Sequence, residues 1–176
     1  MIAVVGLGAS LGDRAATLRT AVCLLAAWPG VEVLAASRLY ASPPAGGVAG
    51  GAFLNAAARV RVSEGPEALH AALRAVETRL GRRVTRRWAD RVLDLDILWF
   101  EGLEWATPTL TVPHPRLAER AFAVRPLLDV ASGATHPTTG TPYASLPAAR
   151  APIACVGVLA APRREALVLA PKPAAS

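Results

Sequence analysis

Cysteine is scarce: Cys23 and Cys155 are the only two in 176 residues. Two thiols make no disulfide framework and fit a reducing cytosol. No apolar run approaches the length of a membrane span, although 53% of the residues are hydrophobic, because alanine supplies much of that fraction. The N-terminal Met1-Ile2-Ala3-Val4-Val5 has no basic stretch before it, so no signal peptide is expected. There is no internal repeat, no Walker lysine after the first glycine turn, and no dinucleotide-type glycine spacing. What remains is one soluble, cytoplasmic domain with a full core. Its net charge is +6, almost all of it from arginine. Arginine's planar fork matches phosphate oxygens, so the charge points to nucleotide phosphates or nucleic acid.

The stretch from Arg82 to Phe100 carries the chemistry. A basic loop with one tryptophan, Trp88, precedes Val92-Leu93-Asp94-Leu95-Asp96-Ile97-Leu98-Trp99-Phe100. Strand alternation puts Leu93, Leu95, Ile97 and Trp99 on one face and Asp94 and Asp96 on the other. Two neighbouring carboxylates repel, so a positive charge must lie between them. A hard cation such as Mg²⁺ suits an oxygen site and also binds phosphates. Pairing with Arg82, Arg86, Arg87 or Arg91 is the structural alternative.

Strands are expected over Met1–Gly8, Val31–Tyr40, Ala52–Val62 and the aspartate segment. Helices are expected after Asp13, the N-cap, and from Pro66 to Gly81. The first helix buries Leu18, Val22 and Leu25; the second buries Leu69, Leu73, Val76 and Leu80. Glu77 lies beside that second stripe and has Arg74 as a partner within reach. In the third strand Phe53 and Asn55 share a face, which suits a flat heteroaromatic ligand or ordinary packing. The order βαββαβ is that of a ferredoxin-like α+β fold, with an antiparallel sheet and helices on one face. Further on, prolines on both sides fix His114, and Arg120 to Val130 reads as a short helix. Residues 132–149 read as loop, Pro152–Ala161 and Ala166–Ala170 as short strands, and Pro171–Ser176 as a frayed tail beyond a domain spanning 1–170.

Several pieces stand in one order: Gly8-Ala9-Ser10-Leu11-Gly12-Asp13, Tyr40-Ala41-Ser42-Pro43-Pro44, Phe53-Leu54-Asn55, Glu77, Gly81-Arg82 and Arg87-Trp88. Arg91-Val92-Leu93-Asp94-Leu95-Asp96, Leu110-Thr111-Val112-Pro113-His114 and Arg120 to Leu127 follow. Over roughly residues 1–132 the chain resembles the 6-hydroxymethyl-7,8-dihydropterin pyrophosphokinase family of folate biosynthesis. The resemblance implies transfer of pyrophosphate from ATP to the hydroxymethyl group of a dihydropterin, with release of AMP. It implies two Mg²⁺ ions on Asp94 and Asp96, with Arg82 and Arg91 closing over the phosphates. Glu77, Ile97, Thr111, His114 and Arg120 would line the ATP side. Ser42, Pro43, Phe53, Asn55, Trp88 and Phe122 would hold the pterin. The loops near 41–52 and 81–91 would be lids that exclude water.

The sequence departs from the family at several points. Ala9-Ser10 follows Gly8 where Ser-Asn is usual, and Ala89-Asp90 stands where Gly-Pro is common. Val84 occupies a position that often holds arginine, and Phe53 one that often holds tyrosine. The expected partners are small molecules, with no nucleic acid and no membrane. The expected state is a monomer, with a dimer as the alternative. Two other functional readings stay open on the residues alone: a non-catalytic ATP/pterin-binding relative and a basic RNA-binding module, for which only Phe53 is placed to stack a base.

Overall fold

The computed structural model describes residues 1–43, 51–81 and 92–160. In chain order the elements are β1 (Ile2–Ala9), α1 (Arg14–Ala26), β2 (Val31–Ala36), β3 (Arg38–Ser42), β4 (Phe53–Val62), α2 (Pro66–Arg79) and β5 (Asp94–Phe100). There follow β6 (Trp105–Ala106), β7 (Thr111–Val112), α3 (Ala121–Val130), α4 (Pro147–Arg150) and β8 (Ala154–Val158). The sheet runs β5-β1-β4-β3-β8, with β2 also on β4, and its paired strands are antiparallel. β6 and β7 form a separate hairpin.

Local signals account for most boundaries. Gly12 takes a positive φ of 62°, a conformation that costs other residues their Cβ clearance. The Asp13 side chain then accepts the Ala16 N–H at 3.0 Å and caps α1. Pro66 opens α2, and Gly81 follows its end with φ 85°. The stretch from Val31 onward is two strands, not one, because Ser37 interrupts it. Ser37 is buried, and its Oγ accepts the Ala57 N–H at 2.8 Å and donates to the Arg38 carbonyl at 2.7 Å. A side chain that bonds its own backbone competes with the ladder.

Two cores flank the sheet. The first gathers Val5, Leu7, Leu54, Ala56, Val60, Leu93, Leu95, Ile97 and Phe100 under Leu18, Val22 and Leu25 of α1 and Leu69, Leu73 and Val76 of α2. Each fully buried leucine there contributes roughly 1.5–3 kcal/mol. The second holds Val4, Ala57, Leu98 and Trp99 against Ala123, Val124, Leu127 and Val130 of α3. Helices therefore cover both faces, rather than one as the sequence suggested. The local pattern of α3 marks a buried stripe but not which side of the sheet receives it.

Trp99 also departs from expectation. Val5 pairs with Ile97 but Val4 pairs with Trp99, so Leu98 is an extra residue in β5. The bulge shifts the alternation. Leu98 and Trp99 both enter the second core, and Phe100 returns to the first. Residues 132–149, read as loop, include a short 3-10 turn at Tyr143–Ser145 and α4, while the strand expected at Pro152–Ala161 contracts to β8 on the sheet edge.

Candidate functional site

On the face shared with α3, one row of paired residues runs Asp94, Gly8, Asn55, Tyr40, because Gly8 pairs with both Asp94 and Asn55, and Asn55 with Tyr40. The next row places Asp96 beside Gly6 and Ala57. Residues directly opposite in a ladder share a face. Asp94, Asp96 and Asn55 are thus neighbours on one surface, with Gly8 as floor between an acidic side and an amide side. A Cβ on Gly8 would make only ordinary contact, 3.6 Å from Asn55 Oδ1; on Gly6 it would meet the Leu98 side chain at 3.0 Å.

Asn55 is buried. Its Nδ2 donates to Ser42 Oγ at 2.9 Å and, more weakly, to the Tyr40 carbonyl at 3.4 Å. Burying the amide without partners would cost more than the bonds return, so these contacts fix its rotamer. Ser42 is buried beside it, Pro43 is exposed, and Phe53 is half-buried on the same face of β4. Phe122 is half-buried at the start of α3, with the Arg120 guanidinium 5.5 Å from its ring centroid.

The basic side is built by the segment after β7. The His114 N–H donates to the Leu98 carbonyl at 2.9 Å, and His114 Nδ1 accepts the Arg116 N–H at 3.1 Å. With Nδ1 an acceptor, the proton of the neutral ring sits on Nε2. Burial pushes the His114 pKa down, against the upward pull of Asp96 and Asp94, and Arg120 adds to the lowering. Burial, then Arg116, also hold Arg120 below its ordinary value, while Asp96, Glu119 and Asp94 oppose them. The charges of the two aspartates are thus felt at both His114 and Arg120.

Glu77 is 1% exposed and sits in α2 against β5. It accepts the Leu95 N–H at 2.7 Å and pairs with Arg74 at 2.7 Å. Arg74 also reaches Asp96 Oδ1 at 3.4 Å. The Ile97 side chain is buried in the first core, so only its backbone is available to a ligand. Thr111 is exposed on β7. Arg82, Arg86, Arg87, Trp88 and Arg91, and with them the central parts of both expected lids, lie outside the described residues. The sequence did not single out Gly6 and Gly8 as site floor, nor the contact of Arg74 with Asp96. Glycine at alternate positions of a buried strand was the available signal for the first; the second depends on how α2 docks.

A family model described as 7,8-dihydro-6-hydroxymethylpterin-pyrophosphokinase (HPPK) matches residues 4–132. The 2-amino-4-hydroxy-6-hydroxymethyldihydropteridine pyrophosphokinase of Methylorubrum extorquens is 42% identical over 129 residues, covering 73% of this chain and 82% of that protein. The protein of the same name from Bacillus subtilis is 40% identical over 129 residues, covering 73% and 77%. Among solved structures, Plasmodium falciparum HPPK-DHPS superposes with TM-score 0.65 at 14% identity over 81% of this chain, which spans 42% of that one. At that identity the superposition speaks to fold alone. Family match and relatives agree on one assignment: the chain belongs to the 7,8-dihydro-6-hydroxymethylpterin-pyrophosphokinase family.

Proposed function

We infer that this chain moves the terminal pyrophosphate of ATP onto the hydroxymethyl oxygen of 6-hydroxymethyl-7,8-dihydropterin, giving AMP and the pterin diphosphate for folate synthesis. The observation that carries this at the site is the face shared by Asp94, Asp96 and Asn55, floored by Gly8. An acidic pair on one side and a buried amide on the other separate a phosphate half from a pterin half. The paired strands, in the order β5-β1-β4-β2/β3, support a ferredoxin-like βαββαβ core, elaborated by α3 and β8. The domain is proposed to run over 1–170, with 171–176 as tail.

Two carboxylates on alternate strand positions form an oxygen donor set. That chemistry fits Mg²⁺, which is usually held by one or two carboxylates, water and substrate phosphates. Asp94 and Asp96 would hold two ions, which would supply charge neutralisation around the triphosphate. In the transfer, the hydroxymethyl oxygen forms a bond to the β-phosphorus, the β-phosphorus bond to the oxygen shared with the α-phosphate breaks, and the hydroxyl proton is released to solvent. Such transfers depend on positioning and charge stabilisation.

On the phosphate side, neutral His114 donates Nε2–H to a phosphate oxygen and Arg120 adds charge. Arg82 and Arg91 are assigned to the phosphates by the family resemblance, and Trp88 to the pterin. Thr111 and the backbone at Ile97 line the nucleotide side, while Glu77, buried in α2, supports it from beneath through the Leu95 N–H. Phe53 and Phe122 stack the pterin, Asn55 bonds its edge, and Ser42 and Pro43 frame it. The protein is proposed to act in the cytoplasm on small molecules as a monomer.

The test is AMP release from ATP and Mg²⁺ with and without 6-hydroxymethyl-7,8-dihydropterin. AMP formed only with both pterin and Mg²⁺ is the expected result. Pterin binding in the presence of ATP without any AMP would instead make the chain a non-catalytic relative.

A further inference from the structure

β5 ends the sheet: β1 lies on one side of it, and no described strand lies on the other. The outward amide and carbonyl of an edge strand need partners. At Leu95 both come from α2. Glu77 accepts the Leu95 N–H at 2.7 Å, and the Arg74 Nη2 donates to the Leu95 carbonyl. The two side chains are themselves joined, Arg74 Nη1 to Glu77 Oε2 at 2.7 Å. Together they do for one residue what a neighbouring strand would do.

That residue stands between the two aspartates. Its N–H belongs to the peptide plane that begins at Asp94, and its carbonyl to the plane that ends at Asp96. Fixing both planes fixes the two Cα atoms from which the carboxylates project. Arg74 Nη2 reaches Asp96 Oδ1 itself at 3.4 Å, which sets positive charge beside the carboxylate pair. The Nε of Arg74 is buried without a hydrogen-bond partner among the described residues, so the guanidinium bonds through its two terminal nitrogens.

From this geometry we propose that Arg74 is a positioning residue for the Asp94/Asp96 pair. It acts through the Leu95 backbone and through its charge at Asp96, with Glu77 as its buried anchor. The proposal rests on the reading of that pair as the metal-holding group. A purely structural arginine would tie α2 to β5 and nothing more. A positioning arginine must also govern how well the pair takes a cation and how fast the chemistry runs once ATP is bound.

Two single variants and one double variant separate these roles. Arg74→Gln removes the charge and the fork. Arg74→Lys keeps the charge but cannot bond Glu77, Leu95 and Asp96 in one plane. Glu77 is buried, and removing Arg74 alone takes away the cation paired with it, so Arg74→Met combined with Glu77→Gln is the control. The glutamine oxygen still accepts the Leu95 N–H, no buried charge is left alone, and the clamp on the carbonyl and on Asp96 is gone.

Each protein is assayed for kcat, for the KM of ATP and for Mn²⁺ binding in the presence of a non-hydrolysable ATP analogue by electron paramagnetic resonance. Hydrogen exchange of the Leu95 amide is measured alongside. In Arg74→Gln and the double variant, kcat is expected to fall on the order of tenfold or more. The KM of ATP should stay within about threefold, and Mn²⁺ affinity should weaken. Arg74→Lys should recover part of kcat, and exchange at Leu95 should quicken in Arg74→Gln.

A lower melting temperature with kcat and Mn²⁺ affinity at wild-type values, in either the glutamine or the double variant, would overturn the proposal. A fully active Arg74→Lys would overturn the part assigned to the fork. If the wild type itself forms no AMP in a Mg²⁺-dependent way, the reading of the aspartate pair fails, and this inference with it. A working wild type with indifferent variants sinks the inference alone.

Discussion

The two faces of the central sheet are made by the same strands and differ in kind. On the α1/α2 face, Val5, Leu7, Leu54, Ala56, Leu95 and Ile97 pack into a continuous apolar core. On the α3 face, apolar packing stops short, and beyond it lie Gly8, Asn55, Asp94 and Asp96. One face supplies stability through volume, which any well-fitting hydrophobe can provide. The other supplies chemistry through atoms whose place is fixed by hydrogen bonds. Along β5 the two requirements alternate residue by residue, so the strand that holds the acidic pair is also a core strand.

The comparison is broken most directly at the acidic row. Asp96→Ala should reduce Mg²⁺-dependent AMP formation at least about a hundredfold while the circular dichroism spectrum stays native. Retained turnover would end the distinction between the faces. The converse substitution is Leu25→Ala, in the first core and fully buried on α1. It should lower unfolding stability by about 2–5 kcal/mol, measured by urea denaturation, and leave kcat of the folded enzyme near wild type.

Asn55 sits between these extremes. Asn55→Ala should raise the KM for the pterin about fivefold, as the loss of one net hydrogen bond implies, and cost about 1 kcal/mol of stability through the lost Ser42 contact. A stability loss with unchanged pterin KM would move Asn55 to the structural side.

The smallest effect is expected at Asp129. This carboxylate on α3 pairs with Arg38 at 2.5 Å and accepts the Tyr40 hydroxyl at 2.9 Å, so it fastens α3 to β3. Burial pushes its pKa up, but the bonds from Arg38 and Tyr40 outweigh that and hold it below the ordinary carboxylate value. A depressed folded pKa means that the contribution is full above the unfolded value, about 4, and is lost as pH falls through the folded one. Melting curves from neutral to acid pH should therefore show Asp129→Asn below wild type at neutral pH and converging with it at the acid end. Parallel curves would remove Asp129 as the titrating tie.

Periodicity and capping made much of this visible in the sequence. The stripe Leu69, Leu73 and Val76, the Asp13 cap and the shared face of Asp94 and Asp96 all follow from residues within a few positions of one another. Partnerships across the fold did not. Nothing local tells that Asn55 and Asp94 face each other across Gly8, because ladder register decides that. Nothing local sends α3 to the second face or brings Arg74 to Asp96. Trp99 misled because alternation assumes an unbroken ladder.

The extra residue in β5 amounts to a spare part with its own job. Leu98 pairs with no residue of β1, so its removal would leave Asp94, Asp96, Trp99 and Phe100 on the faces they now occupy. What would vanish is a side chain folded over Gly6 and a carbonyl that receives the His114 N–H at 2.9 Å. A one-residue insertion thus links the acidic strand to the basic wall, and a chain shortened at Leu98 would lose that link together with a buried side chain of the second core.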